Sequence, residues 1–172
     1  MFTQIKLPRV RLRLITHKHA ASLFCILNHP QVAQFNDYQL PLSNTDIKQL
    51  IQDDISGYYH GDLLRVAIEH NNTGQLLGCC GLYSIDKDKQ MAYLGFELHP
   101  HYWQQGIMSE ALVAFINTMQ RSLGLTKLIA EVHKHNTPSH KLLTKLGFSK
   151  QGKESAAHQV KSSCELWHKQ FT

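Results

Sequence analysis

Residues 97–111 read Glu-Leu-His-Pro-His-Tyr-Trp-Gln-Gln-Gly-Ile-Met-Ser-Glu-Ala, a strand end running into a glycine-bearing turn and then a helix start. The junction predicts a phosphate cradle. The first N–H groups of a helix have no acceptor within it, and the aligned peptide dipoles place roughly half a positive charge at that end. An anion is the natural occupant. Gly106 lets the backbone approach a ligand with no Cβ between them. The chain holds neither a Walker pattern nor Gly-x-Gly-x-x-Gly, which argues against an ordinary nucleotide site.

Working outward, Met108, Ala111, Leu112, Phe115, Ile116 and Met119 form one apolar stripe of a helix that Gly124 terminates, a core face and not a cofactor box. Residues 127–132 alternate as a strand, so strand, helix and strand predict a right-handed crossover with parallel strands. Thr137 is expected to cap, and Pro138 to open, a short helix stopped by Gly147. Residues 160–167 are expected to form a last strand. Upstream, residues 91–98 form the strand entering the junction, after the Asp86-Lys87-Asp88-Lys89 turn. Residues 63–69 and 76–85 read as an antiparallel pair around Asn71-Asn72-Thr73-Gly74, a turn-rich connection. Residues 10–15 alternate as a first strand with Arg11 and Arg13 outward. A helix follows over 17–27 from the spacing of Ala20, Leu23, Phe24 and Leu27, stopped by Asn28-His29-Pro30. Ser43-Asn44-Thr45-Asp46 is a capping-box start for a second helix through Ile47, Leu50, Ile51 and Ile55, with Gly57 as its end.

The turn resembles the signature of the GNAT superfamily of acetyl-CoA-dependent N-acetyltransferases, Gln/Arg-x-x-Gly-x-Gly/Ala, with Trp103, Gln104, Gln105, Gly106, Ile107 and Met108 in the six places. Trp in the first place, preceded by His-Pro-x-Tyr, is similar to the branch holding the ribosomal-protein-alanine acetyltransferases. Asn136-Thr137-Pro138-Ser139, followed by Leu142-Leu143-Thr144-Lys145-Leu146-Gly147-Phe148, resembles that branch's second block. Val10-Arg11-Leu12-Arg13-Leu14 and His29-Pro30-Gln31-Val32 also fit, so the resemblance covers nearly the whole chain. It implies an α/β (α+β) GNAT fold in a single domain, residues 1–172. A central, mixed, mostly antiparallel twisted sheet would carry a splayed parallel strand pair and be flanked by helices, with the pantetheine arm of acetyl-CoA lying in the splay.

By the same resemblance, main-chain groups of Leu98 and His99 would bond the arm, with the Leu98 amide near the thioester oxygen. Backbone N–H groups of Gln104, Gln105, Gly106, Ile107, Met108 and Ser109 would hold the pyrophosphate; Lys134, Lys141 or Lys145 could reach a further phosphate, or else are the solvated faces of a strand end and a helix. The Asn136 amide would reach the arm from the other side; capping the short helix is an equal alternative. Glu97 stands where a carboxylate could take the proton of the attacking amine, or else where a strand carboxylate simply meets solvent. Ser139 would donate to the departing thiolate, since Leu143 occupies the place where many relatives carry Tyr. Met108 and Ile107 replace the usual small residue and Tyr, but only their N–H groups are needed. Asn36, Asp37 and Tyr38 would wall the acceptor site. The acceptor implied first is a protein N-terminal α-amino group, with a small amine (polyamine, amino acid or aminoglycoside) as the alternative. An acidic cluster from Asp37, Asp53, Asp54 or Glu97 would favour a polyamine, an open groove a peptide. A non-catalytic acyl-CoA-binding module is the reading from a different class.

Composition fits one soluble, cytoplasmic domain. The 172 residues suffice for a proper core. The basic first twenty residues hold no signal-peptide core, and no apolar run is long enough to span a bilayer. Cys25, Cys79, Cys80 and Cys164 include no Cys-x-x-Cys and are expected as buried free thiols in a reducing compartment. The net charge of +5 suits an anionic partner such as coenzyme A. Its lysines and arginines are scattered without interleaved aromatics, unlike a dedicated nucleic-acid surface. Among twelve histidines, His17/His19, His99/His101 and His133/His135 are spaced i, i+2, so no metal ligand set is expected. A homodimer is compatible with all of this.

Overall fold

The computed structural model describes residues 2–36, 38–151 and 161–171. Among these, the strands are β1 (Ile5–Lys6), β2 (Val10–Leu14), β3 (Leu64–His70), β4 (Leu76–Asp86), β5 (Met91–Leu98), β6 (Lys127–His133), β7 (Ser149–Lys150) and β8 (Cys164–Gln170). They form one sheet in the order β1-β2-β3-β4-β5-β6-β8-β7. Only β5 and β6 run parallel; the other pairs are antiparallel. The helices are α1 (Ala20–Leu27), α2 (Pro30–Ala33), α3 (Asn44–His60), α4 (Ile107–Leu123) and α5 (Thr137–Lys145). The expected mixed, mostly antiparallel sheet with one parallel pair is therefore present.

The central strands are buried on both faces, which is why β4 opens as an unbroken buried run, Leu-Leu-Gly-Cys-Cys. Successive side chains take opposite faces. Val66, Ile68, Cys80 and Leu82 join the core under α4 and α5, around Phe115, Leu112 and Leu143. Ala67 and Cys79 join a second core under α1 and α3, around Leu23, Leu27, Ile47 and Ile51. Arg65 shares its parity with Ala67 and so belongs to the α3 side, as does Glu97, opposite Cys79 in the register.

The N-terminal half is tied by a buried carboxylate. Glu69, fully buried, receives Arg11 Nε at 2.7 Å, Lys18 Nζ at 2.8 Å and His19 Nε2 at 2.9 Å. Burial pushes such a carboxyl up, but here the hydrogen bonds from Lys18, His19 and Arg11 outweigh it and hold Glu69 at about 2. His19 is itself lowered by burial, and its Nδ1 accepts from the Thr16 N–H at 3.0 Å. It is therefore the neutral tautomer with the proton on Nε2, the nitrogen that faces Glu69.

Five local expectations are corrected. The second helix does not stop at Gly57 but runs to His60, and Gly61 at φ 83° closes it. Gly57 is there for closeness, since a Cβ would meet Leu63 Cβ at 2.8 Å. The first helix opens with a 3-10 turn at His17–His19 and is α-helical only from Ala20. The cap of α5 is Asn136, not Thr137. Cys25 is exposed and Cys164 partly so, while Cys79 and Cys80 are buried; none of the four is in a disulfide. The last strand spans Cys164–Gln170, three residues beyond the expected end; residue 160 lies outside the described residues.

Candidate active site

The parallel pair is hydrogen-bonded only at its start, Met91 with Lys127, Ala92 with Leu128 and Tyr93 with Ile129. Beyond that β6 continues against β8 as far as His133, while β5 continues against β4 as far as Leu98. The two diverge. Leu94, Phe96, Glu97 and Leu98 on one side and Glu131, Val132 and His133 on the other line a cleft of about 780 Å³. The His99 N–H donates to Leu77 O at 2.9 Å, so by antiparallel alternation the main-chain groups of Glu97 and His99 turn toward β4, and those of Phe96 and Leu98 toward the cleft. The Leu98 carbonyl accepts from the Trp103 indole at 2.7 Å. The Leu98 N–H is on the same edge and faces the cleft.

The same geometry corrects His99. Its N–H is committed to Leu77 and its carbonyl to the Tyr102 N–H at 3.0 Å, and it does not line the cleft. Gln105 does not line it either; its carbonyl and side chain face Arg9 and His101. Gln104, Gly106, Ile107, Met108 and Ser109 do.

The cradle lies at one end of the cleft. Gly106 is the N-cap of α4 at φ 75°, and no side chain caps this helix. Its first-turn N–H groups are left for a ligand, where a Ser or Asp cap would have taken one. Gln104 also has positive φ, at 60°. Arg9 braces this strained turn, donating to Gln105 O at 2.7 Å and to Glu110 Oε2 at 2.7 Å. Sequence reasoning missed Arg9, because nothing in the local pattern brings residue 9 beside residue 105. The uncapped helix start and the room beside Gly106, where a Cβ would meet only Arg9 at 3.6 Å, fit a pyrophosphate.

Opposite the cradle, Asn136 Oδ1 accepts from Ser139 N at 3.3 Å, so its oxygen caps α5. The side chains of Asn136 and Ser139 both line the cleft. Leu143 is fully buried in the core and does not line the cleft, so position 143 contributes no hydroxyl to it. Of the three lysines, Lys141 lines the cleft; Lys134 is bonded to the Ser162 carbonyl.

At the far end Glu97 lines the cleft and pairs with Arg65, whose Nη2 donates to Glu97 Oε1. Arg65 Nη1 donates to Asp54 Oδ2 at 3.3 Å. Arg65 was not singled out in the sequence. Asn36 lines the cleft with a buried Nδ2 that has no hydrogen-bond partner. Tyr38 packs into the α1–α3 core beside Arg65, and burial raises its hydroxyl; it does not line the cleft. Asp37 lies outside the described residues. No group of three or more His, Cys, Asp or Glu among the described residues is placed to hold a metal.

A strand pair that parts to admit an extended arm, and leads it to an uncapped helix start, defines a coenzyme A-dependent acyltransferase. The acetyltransferase (GNAT) domain family matches residues 9–149, and the chain belongs to it. It is 31% identical over 146 residues to the uncharacterised N-acetyltransferase p20 of Bacillus licheniformis, covering 84% of this chain and 81% of that protein. Among solved structures it resembles a Salmonella typhimurium acetyltransferase described as modifying the N-terminal serine of ribosomal protein L7/L12 (TM-score 0.84, 19% identity, 99% of this chain and 100% of that one). A ribosomal L7/L12 alpha-N-protein acetyltransferase in complex with coenzyme A is similar in the same way (TM-score 0.82, 19% identity, 95% of each chain). The protein is an N-acetyltransferase with acetyl-CoA as its co-substrate.

Proposed function

We propose that the acceptor is a protein N-terminal α-amino group, acetylated by direct attack while donor and acceptor are both bound, in a single cytoplasmic domain formed by residues 1–172. The observation that carries the reading is Asn36 Nδ2, a buried donor without a partner on the wall of the cleft that Glu97 also lines. An unsatisfied buried donor costs about 1–3 kcal/mol. A chain terminus supplies the missing acceptor, because its first carbonyl lies two bonds from its amine; a polyamine has none. The ribosomal-protein acceptors named for structures of the same fold lie in the same class.

Bound acetyl-CoA supplies the acetyl thioester. The cradle at Gly106–Ser109 would hold its phosphates, and Leu98 N–H and Asn136 its arm. An α-amine with pKa about 8 arrives mostly as ammonium near neutral pH. Glu97 takes the proton, directly or through water, which leaves the nitrogen lone pair free to attack. Ser139, which lines the cleft, would donate a hydrogen bond from its hydroxyl to the leaving sulfur. The test is thiol release from acetyl-CoA against Ser- and Ala-initiated peptides, polyamines, amino acids and aminoglycosides. Turnover is expected with the peptides; turnover confined to the small amines would overturn the acceptor class.

A further inference from the structure

Behind Glu97, one layer in from the cleft, two carboxylates share one guanidinium. Arg65 Nη2 donates to Glu97 Oε1 and Arg65 Nη1 to Asp54 Oδ2, on side chains that are 11%, 17% and 6% exposed for Arg65, Glu97 and Asp54. The three residues come from different elements, Arg65 on β3, Glu97 on β5 and Asp54 on α3. Two negative charges against one positive leave a surplus of one in a dry site. Among the described residues no other group balances it: Tyr38, Cys79, Cys80 and Asp53 also act on Asp54 or on Arg65. None of these is a cation.

We infer that Arg65 and Asp54 are positioning residues for Glu97: the shared guanidinium fixes one carboxylate oxygen and leaves Oε2 to the cleft, and the charge on Asp54 decides how firmly Arg65 holds the Glu97 side chain. When Asp54 is protonated, Arg65 is committed to Glu97 alone and pins its carboxylate against β3. When Asp54 is ionised, the guanidinium is divided, and the Glu97 carboxylate is freer to meet the amine. Burial lifts Asp54 to about 6 despite the attraction of Arg65, and the Glu97 charge adds to the rise. The device is therefore set to release Glu97 as pH climbs through that range. This inference rests on Glu97 as the proton acceptor.

Carboxyl carbon NMR on the full chain tests it without any acceptor. The Asp54 resonance is assigned by its loss in Asp54→Asn. Removing the competing carboxylate in Glu97→Gln leaves Arg65 to Asp54, so the Asp54 midpoint is expected to fall by about one unit or more, a tenfold change in proton affinity. Arg65→Lys, which keeps the charge but not the planar fork, is a second variant and is expected to move the midpoint upward. A midpoint unmoved within about 0.3 units in both variants overturns the inference, on the same unit-for-tenfold scale. In thiol release with a Ser-initiated peptide, wild type and Asp54→Asn are expected to match near pH 5 and to diverge about tenfold above pH 7; parallel profiles would also overturn it. The two failures are distinct. Wild-type turnover in Glu97→Gln removes the proton-acceptor role, whereas an unmoved Asp54 removes the coupling at any turnover.

Discussion

Gly106→Asp separates folding from cofactor binding. The residue sits at φ 75°, where a non-glycine residue costs roughly 1–2 kcal/mol, with Asp at the low end because it visits this region more readily. At about 2–4 °C per kcal/mol for a chain of this size, melting should drop by only a few degrees. Binding should fall far more. A new carboxylate about 5 Å from a pyrophosphate charge costs about 3 kcal/mol at an effective dielectric constant near 20, or two to three decades in Kd. The neighbouring Arg9, 3.6 Å from the new Cβ, offsets little because Glu110 already holds it at 2.7 Å. Calorimetry with coenzyme A measures the loss, and Gly106→Ala gives the backbone cost without the charge. In the wild type, coenzyme A at a hundred times its Kd should add about 2.7 kcal/mol of stability. A Gly106→Asp protein that binds within about threefold of wild type would refute the cradle, since the charge alone is worth two decades or more.

Glu97→Gln is expected to lower kcat/KM for a peptide amine about a hundredfold, most above about pH 6, where ionised Asp54 divides Arg65 and frees Glu97, with coenzyme A affinity unchanged by calorimetry; pH–rate profiles parallel to wild type would contradict this. Ser139→Ala should depress kcat with the shape of the pH profile retained, and an unchanged kcat would remove Ser139 from thiolate protonation. For Glu69→Gln the sign follows from a folded carboxyl at about 2 against an ordinary 4.5: the stabilisation is full above 4.5 and lost as pH falls through 2. Urea unfolding at pH 7 should show the variant weaker by about 3 kcal/mol, with the gap closing toward pH 2; a gap constant with pH would show that Glu69 is not held as an anion by its neighbours.

The cradle and α4 were legible because their signals are local. Gly106, the stripe from Met108 to Met119 and the closing Gly124 all speak within one element, and the structure places them as read. Asn136 and Thr137 are neighbours with equal capping ability, so propensity could not choose between them. Gly57 misled for a different reason: a glycine that ends a helix and one that admits a neighbour's side chain look the same until Leu63 is in place. Arg65 was illegible in principle. A strand arginine flanked by apolar residues reads as an outward-facing charge, and only the packing of α3 over that face turns it inward to Asp54 and Glu97. His99 was a case of alternation, since one residue of offset decides whether an amide meets β4 or the cleft.

Trp103 hangs its indole on the Leu98 carbonyl at the mouth of the splay, and the chain has only one other tryptophan. That other, Trp167, lies on β8, stacked on the His140 ring at 5.2 Å, away from the cleft. The protein thus carries its own optical probe, with one fluorophore in the cofactor's path and one outside it. In Trp167→Phe the emission would come from Trp103 alone, so coenzyme A titrations and stopped-flow binding kinetics can be followed without a dye, a label or turnover.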